Sequence, residues 1–369
     1  MGILKKIKEK VKRGFTIRLF GIELHFFAKK ANKQDKKTKK SNAYSPQQDD
    51  TFSNDFRFNM FVESNLDIDV KRNIIAQTFY KNVGYYPNID CPTTFSEKVL
   101  WLKLYYADPL ITMACDKVNG KAYVDRILGP GYTVPILKKY SSVFDIDLDE
   151  LPDRFALKVN WATGCNIIVK DKSKVDLDKT RATLDRWILP WKSSYYGTFN
   201  RGYRETKAVI FAEEYLDIPQ NTTEYKVFCF NGRVKFTLIE LDYFGNSPKR
   251  AYYDRDWNEV PYRFGNIPKV SVGAMPEQYP EIIRLAEILA EPFPYIRVDF
   301  YDIDGKLYVG ELTFYSGGGF SNLKPREWDY VLGKELDISD AMESVASGKY
   351  KSQSIYREET NDQANKKIF

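Results

Sequence analysis

From Gly129-Pro130-Gly131 onward the chain breaks into short β-rich segments, and their spacing constrains the fold more than any other feature. The segments are YTVPILKKY, RFALKVN, NIIVKDK, AVIFAEEYL, EYKVFCF, VKFTLIELD, RAYYD, IRVDFYD and KLYVGELTF. They are rich in β-branched and aromatic residues, and several are separated only by turn signals, which brings neighbouring strands together antiparallel. Two helical stretches, 173–189 and 276–291, interrupt the series, and the region from about 55 to 125 reads as mostly helical. There Ser96 is expected to cap the apolar run KVLWLKLYY, and Asp108-Pro109 to open one helix through Met113 and Asp116 to Val124. Strands and helices in this order predict an α+β protein with largely antiparallel sheets.

Composition excludes several function classes. A hydrophobic fraction of 43% over 369 residues is ample for a core. No run reaches the roughly 18 apolar residues of a bilayer span, and MGILKKIKEKVKRG lacks the apolar centre of a secretory signal, so a cytoplasmic protein is expected. Cys91, Cys115, Cys165 and Cys229 are scattered without a C-x-x-C, and His25 is the only histidine. That argues against a zinc site, a disulfide framework or a histidine-dependent triad. The net charge of +6 is concentrated: residues 1–40 hold 14 Lys/Arg against three acids, leaving the other 329 residues at −5. Ile3, Leu4, Ile7 and Val11 alternate with lysines as on an interfacial helix, so an anionic membrane surface, not nucleic acid, is the expected partner of this arm, with a plain solvated basic tail as the alternative. FTIRLFGIELHFF, broken at Phe20-Gly21, suggests a small hairpin, and residues 29–54 read as a linker.

The stretch 295–320 carries the clearest chemistry. Asp302-Ile303-Asp304-Gly305 signals a tight turn. Pairing 296–301 with 307–313 then sets Val298 and Phe300 on one face and Arg297, Asp299 and Tyr301 on the other, with Asp299 near Glu311. Two carboxylates held close repel unless a cation lies between them, and hard oxygen ligands favour Mg²⁺. An ordinary hairpin with exposed acids is the alternative. Lys158 ends an apolar strand before the loop 160–166, a placement that can hold phosphate. AVIFAEEYL ends in two acids and an aromatic residue.

The order of these pieces is more specific than any one of them. TFSEKVLWLKLYYADPL, ACDKVNGKAYV, LPDRFALKVN, NIIVKDKSK, EYKVFCFNG, YYDRDWN and IRVDF…GELTFYSGGGF, over about residues 80–335, resemble the TupA-like ATP-grasp family associated with bacterial surface-polysaccharide clusters. The resemblance implies an ATP-grasp fold of two α+β lobes gripping ATP, and in this chain a short helical region and the basic arm precede it. With the arm, linker and tail read from composition, the expected boundaries are 1–28 (arm), 29–54 (linker), 55–130 (helical region), 131–214 (small lobe), 215–345 (C-terminal lobe with the metal site) and 346–369 (polar tail).

Residue by residue, it implies that Lys117 and Lys158 contact ATP phosphates, Glu213 and the backbone near Leu216 meet the adenine, and Glu224 meets the ribose. Asp299, Glu311 and Thr313 take the Mg²⁺ positions, and Arg297 faces the acyl-phosphate oxygens. The implied activity is an ADP-forming carboxylate–amine ligase joining an amino acid to a uronic acid or peptide side chain of a saccharide, with the arm on the inner face of the membrane. A saccharide phosphotransferase and a non-catalytic scaffold are the alternatives. Three departures stand out: Thr313 is a neutral third metal position, Gly164 is the only glycine in 160–166 with Trp161 where histidine is expected, and the helical region is short.

Overall fold

The computed structural model describes residues 66–189, 198–219, 222–241 and 248–350, together with the backbone of 15–19 and 22–26. The chain divides into two compact units, 1–65 and 66–369. In the first, β1 (Phe15–Leu19) and β2 (Ile22–Phe26) pair antiparallel around the Phe20-Gly21 break. The basic helix expected at 3–13, the linker 29–54 and residues 351–369 of the tail lie outside the described residues.

The second unit opens with four helices: α1 (Ile68–Val83), α2 (Phe95–Tyr105), α3 (Pro109–Cys115) and α4 (Lys117–Leu128). Two expectations are corrected here. Thr94, not Ser96, caps α2, because Thr94 and Glu97 form a reciprocal capping box. Ser96 sits inside the first turn and donates through both N–H and Oγ to Asp329 Oδ1, at 2.9 and 3.0 Å. The single helix expected from Asp108 to Val124 is two helices. Asp116 is extended between them (φ −69°, ψ 124°) and caps α4 by accepting the N–H groups of Val118 and Asn119.

All nine β-rich segments are strands. β3 (Ile136–Tyr140), β4 (Phe155–Val159), β5 (Asn166–Val169) and β6 (Ile210–Glu214) make a four-stranded sheet in the order β3-β6-β4-β5. Against β4 lies α5 (Leu177–Trp187). β7 (Glu224–Phe230), β8 (Arg233–Leu241), β9 (Lys249–Asp254), β11 (Tyr295–Ile303) and β12 (Lys306–Thr313) form a five-stranded sheet in the order β12-β11-β7-β8-β9. The named strands pair antiparallel throughout, as expected for this α+β chain. Two short strands that the sequence pattern does not announce, β10 (Arg263–Phe264) and β13 (Leu323–Lys324), form a separate ribbon.

Side-chain alternation gives the five-stranded sheet two unlike faces. Tyr225, Val227, Cys229, Ile239, Val298 and Phe300 are buried on one of them. α6 (Tyr279–Ala290) packs against β7, β8 and β11 and buries Ile282, Leu285, Ala286 and Leu289, the isoleucine and two leucines each worth about 1.5–3 kcal/mol relative to exposure. The helices α7 (Glu327–Glu335) and α8 (Ser339–Ala346) close the unit, with α7 against α2. Among the described residues no helix is long and apolar enough to cross a membrane.

Candidate functional site

The second face of the five-stranded sheet is charged, and its register arranges the charges in rows across the strands. Asp299 on β11 stands opposite Glu311 on β12 and Lys226 on β7. One step along, Tyr301 stands opposite Glu224, Glu224 opposite Glu240, and Glu240 opposite Arg250. One step the other way, Arg297 lies between Thr313 and Phe228. The turn that fixes the β11–β12 register is Asp304-Gly305, both residues left-handed (φ 52° and 80°), which matches the twist of a two-residue hairpin. A bulge after Asp299 shifts the pairing. Past it, Gly310 is required: a Cβ there would stand 2.6 Å from the Tyr301 ring, displacing the hydroxyl that donates to Glu224 Oε1 at 3.2 Å.

Over this face lies a cleft of about 610 Å³, whose lining also includes Lys117, Lys158 and the loop residues Thr163 to Asn166. The break at Asp116 makes Lys117 the first residue of α4. Asn160, fully buried, holds that break against the β4–β5 loop. Its carbonyl accepts Lys117 N–H at 3.1 Å, its amide donates to Asp116 Oδ2 at 2.5 Å, and its Oδ1 accepts Val209 N–H at 2.7 Å.

Among the described residues five cations line the cleft, and each is paired with its own acid. Lys117 meets Glu311 at 3.3 Å, Arg250 meets Glu240 at 2.6 Å, and Arg297 forks onto both oxygens of Asp299 at 2.6 and 2.7 Å. Lys158 pairs with Glu213 and Lys226 with Glu224. Burial pushes the Asp299 carboxyl up to about 6 against the pull of Arg297 and Lys226. Burial also pushes Glu311 up, but Lys117 and Arg297 outweigh it and hold that carboxyl below the ordinary range.

The structure thus brings Lys117, Lys158, Glu224, Arg297, Asp299 and Glu311 into one cleft. Glu213 stands behind Lys158, buried, with Lys121 on its other oxygen at 3.1 Å. Leu216, half-buried after β6, and Thr313 are not among the cleft-lining residues. The Thr313 hydroxyl accepts from Arg297 Nη2 at 3.1 Å and so orients the guanidinium. Trp161 turns into the core and donates to the Trp187 carbonyl at 3.1 Å, leaving Thr163 and Gly164 to face the cleft. Lys226, Glu240 and Arg250 were missed by the sequence reading. The signal available was a charged residue alternating with apolar ones in EYKVF, LIEL and RAYY.

Beside Arg297, Ser316 opens the turn Gly317-Gly318-Gly319, whose three residues are all left-handed (φ 57°, 66° and 76°). Ser316 Oγ accepts from Arg297 Nη1 at 3.3 Å. Asp299 and Glu311, two facing carboxylates whose remaining shell could come from phosphate oxygens, are a donor set that suits Mg²⁺. Among the described residues no group of three or more His, Cys, Asp or Glu is placed to hold a metal by itself.

A family model described as TupA-like ATPgrasp matches residues 97–337. No curated protein matches the chain by sequence. Among solved structures, the chain is similar to the D-alanine–D-alanine ligase of Bacillus anthracis complexed with ATP. That likeness has 17% identity over 65% of this chain and 70% of that one, with a TM-score of 0.39. It is also similar to an ADP complex of N5-carboxyaminoimidazole ribonucleotide synthetase (14% identity, 59% and 50% covered, TM-score 0.34). A third likeness is to C-terminally truncated Cdc123 of Schizosaccharomyces pombe (12% identity, 56% and 85% covered, TM-score 0.32).

Proposed function

We propose that this chain, which belongs to the TupA-like ATP-grasp family, is an ATP-dependent carboxylate–amine ligase. The observation that carries the reading is the set of five ion pairs in one cleft. A nucleoside triphosphate offers the cations oxygens to bind, and a divalent cation that comes with it neutralises the acids those cations leave. The exchange is close to charge-neutral, which a buried site requires. Lys117, Lys158 and Arg297 then hold phosphate oxygens, Glu224 the ribose, and Glu213 and the segment at Leu216 the adenine side. Asp299 and Glu311 would hold Mg²⁺, which supplies charge neutralisation at the phosphates; Thr313 acts through Arg297.

In the reaction, a substrate carboxylate oxygen bonds to the γ-phosphorus, and the bond to the β-bridging oxygen breaks with its electron pair leaving on ADP. An amine then attacks the acyl carbon, the carbon–oxygen bond to phosphate breaks, and phosphate and a proton are released. The chain's part is to position the reactants and to counter charge, with no need of a histidine base. The substrate pair we favour is an amino acid and a uronic acid or peptide side chain of a surface saccharide. The glycine turn beside Arg297 does not itself make room for it, since a Cβ at Gly317, Gly318 or Gly319 would run into Ser321, Phe320 or Leu100.

The test is ADP formation from ATP and Mg²⁺ with hydroxylamine as a surrogate amine, screened against uronic acids and common amino acids. A hydroxamate formed with ADP is the expected product. Label from [γ-³²P]ATP retained stably on a saccharide would instead establish the phosphotransferase. Undiminished turnover in Asp299→Asn and Glu311→Gln would end the catalytic reading at this cleft. The basic arm would hold the enzyme at an anionic membrane. Deleting residues 1–27 should abolish sedimentation with phosphatidylserine vesicles at low salt, and unchanged sedimentation would refute it.

A further inference from the structure

The ribbon of β10 and β13 borders the cleft: Phe264, and Ser321 just before β13, are among the lining residues. Its register sets Phe264 opposite Leu323 and Arg263 opposite Lys324. Phe264 and Leu323 are buried, and the Phe264 ring stacks on Phe228 at 5.5 Å. Alternation therefore turns Arg263 and Lys324 away from the sheet, side by side, with Cβ atoms about 5 Å apart. Like charges directly opposite each other are destabilising. Every cation of the cleft has its acid, whereas among the described residues neither Arg263 nor Lys324, both half-buried, makes an ion pair. Lys324 Nζ donates to a neutral acceptor, Asn266 Oδ1, at 2.5 Å. Arg263 Nε is sealed from water with no acceptor. A guanidinium desolvated along one edge attracts an anion more strongly than a hydrated one, and its planar fork matches an oxyanion.

The position of this pair along the sheet indicates what the anion belongs to. On the nucleotide reading of the cleft, the ribose lies at Glu224 and the phosphates lie over the row of Asp299 and Lys226. Phe228 is one step further on the same face, opposite Arg297, and carries the Phe264 ring. A substrate whose carboxylate meets the γ-phosphate beside Arg297 then extends past Phe264 towards Arg263 and Lys324. Asn266, which holds Lys324, also lines with Lys249 and Ile267 an open hollow of about 600 Å³. A chain of several units has room there.

We propose that Arg263 and Lys324 form an oxyanion subsite for the substrate, holding a second acidic group apart from the carboxylate that reacts. The substrate is then a polyanionic saccharide, its second charge a uronate carboxylate or a phosphate ester. The proposal rests on the nucleotide reading for the direction in which the substrate lies, and it makes Arg263 and Lys324 specificity-determining residues outside the nucleotide machinery.

Calorimetric titration of the full chain, saturated with AMP-PNP and Mg²⁺ so that the nucleotide's own phosphate positions are filled, tests this. The probes are trigalacturonate, glucose 1-phosphate and neutral maltotriose. Wild type should bind at least one acidic probe, and maltotriose about tenfold or more weakly than that. Arg263→Gln and Lys324→Gln should each weaken the acidic probe about tenfold, the worth of a hydrogen bond to a charged group, and leave AMP-PNP affinity within about twofold. The acidic probe that loses affinity identifies the group, carboxylate or phosphate. Two single variants at separate positions keep the test open if one does not fold. No binding of either acidic probe to wild type, equal binding of maltotriose, or unchanged affinity in a folded variant overturns the proposal. Absence of AMP-PNP binding refutes the nucleotide reading itself, and the same probes titrated without it still decide the subsite.

Discussion

Lys103 donates from within α2 to the carbonyl oxygen of Gly318 at 2.5 Å, with its ammonium 4.0 Å from the centre of the Phe320 ring and no surface in water. The turn beside Arg297 is therefore fastened from beneath by a buried amine, and burial pushes that ammonium down to about 7. In the unfolded chain the same group titrates at about 10.4. Between those values the unfolded state holds a proton that the native state has lost, so stability rises with pH. The cost is fully present below about pH 7. Melting temperature followed from pH 7 to 9 should climb in wild type relative to Lys103→Met, which lacks the titrating group. Parallel profiles for the two proteins would refute the assignment.

Asn160→Ala should destabilise the second unit by about 3 kcal/mol, since it strands a buried Asp116 oxygen and the N–H of Val209. Urea unfolding with an unchanged m-value checks the size. Nucleotide affinity should fall as well, because the same side chain ties α4, and with it Lys117, to the loop.

Arg297→Met leaves Asp299, 2% exposed, without its fork of hydrogen bonds. A loss of about 3–5 kcal/mol is expected for a buried pair broken on one side. The double variant Arg297→Met/Asp299→Leu should recover most of that loss. ATP turnover should be absent in both, which separates the pair's structural worth from its chemical one.

Gly310→Ala places a methyl 2.6 Å from the Tyr301 ring, and overpacking of this kind costs about 1–3 kcal/mol. The ring must move, taking its hydroxyl from Glu224. Weaker ADP binding with less than about tenfold change, together with a lowered melting temperature, is the expected result by calorimetry.

Much of this molecule is legible in local pattern. The nine strand segments follow from alternation of β-branched and aromatic residues, a property of each segment alone. A two-residue turn at Asp304-Gly305 fixes by counting that Phe300 faces Val309, which places Asp299 near Glu311, but counting alone would set Asp299 opposite Gly310, and only the bulge after Asp299 brings Glu311 directly across. The Thr94 cap was missed because Thr94 and Ser96 both precede the same apolar run, and only the reciprocal Glu97 bond distinguishes them.

What the tertiary structure decided is which strands are neighbours and what each charge meets. Lys226, Glu240 and Arg250 become part of the cleft only because β7, β8 and β9 extend the sheet beyond β11 on the same face. No periodicity in the chain records that order, since the pairing of β11 with β7 joins segments some 70 residues apart. The break at Asp116 depends likewise on Asn160 arriving from another element, and the burial of Lys103 on a turn more than 200 residues away. Local pattern chooses helix or strand through neighbouring residues. The partners of a charge, and whether water reaches it, are set by contacts that exist only once the sheets have assembled.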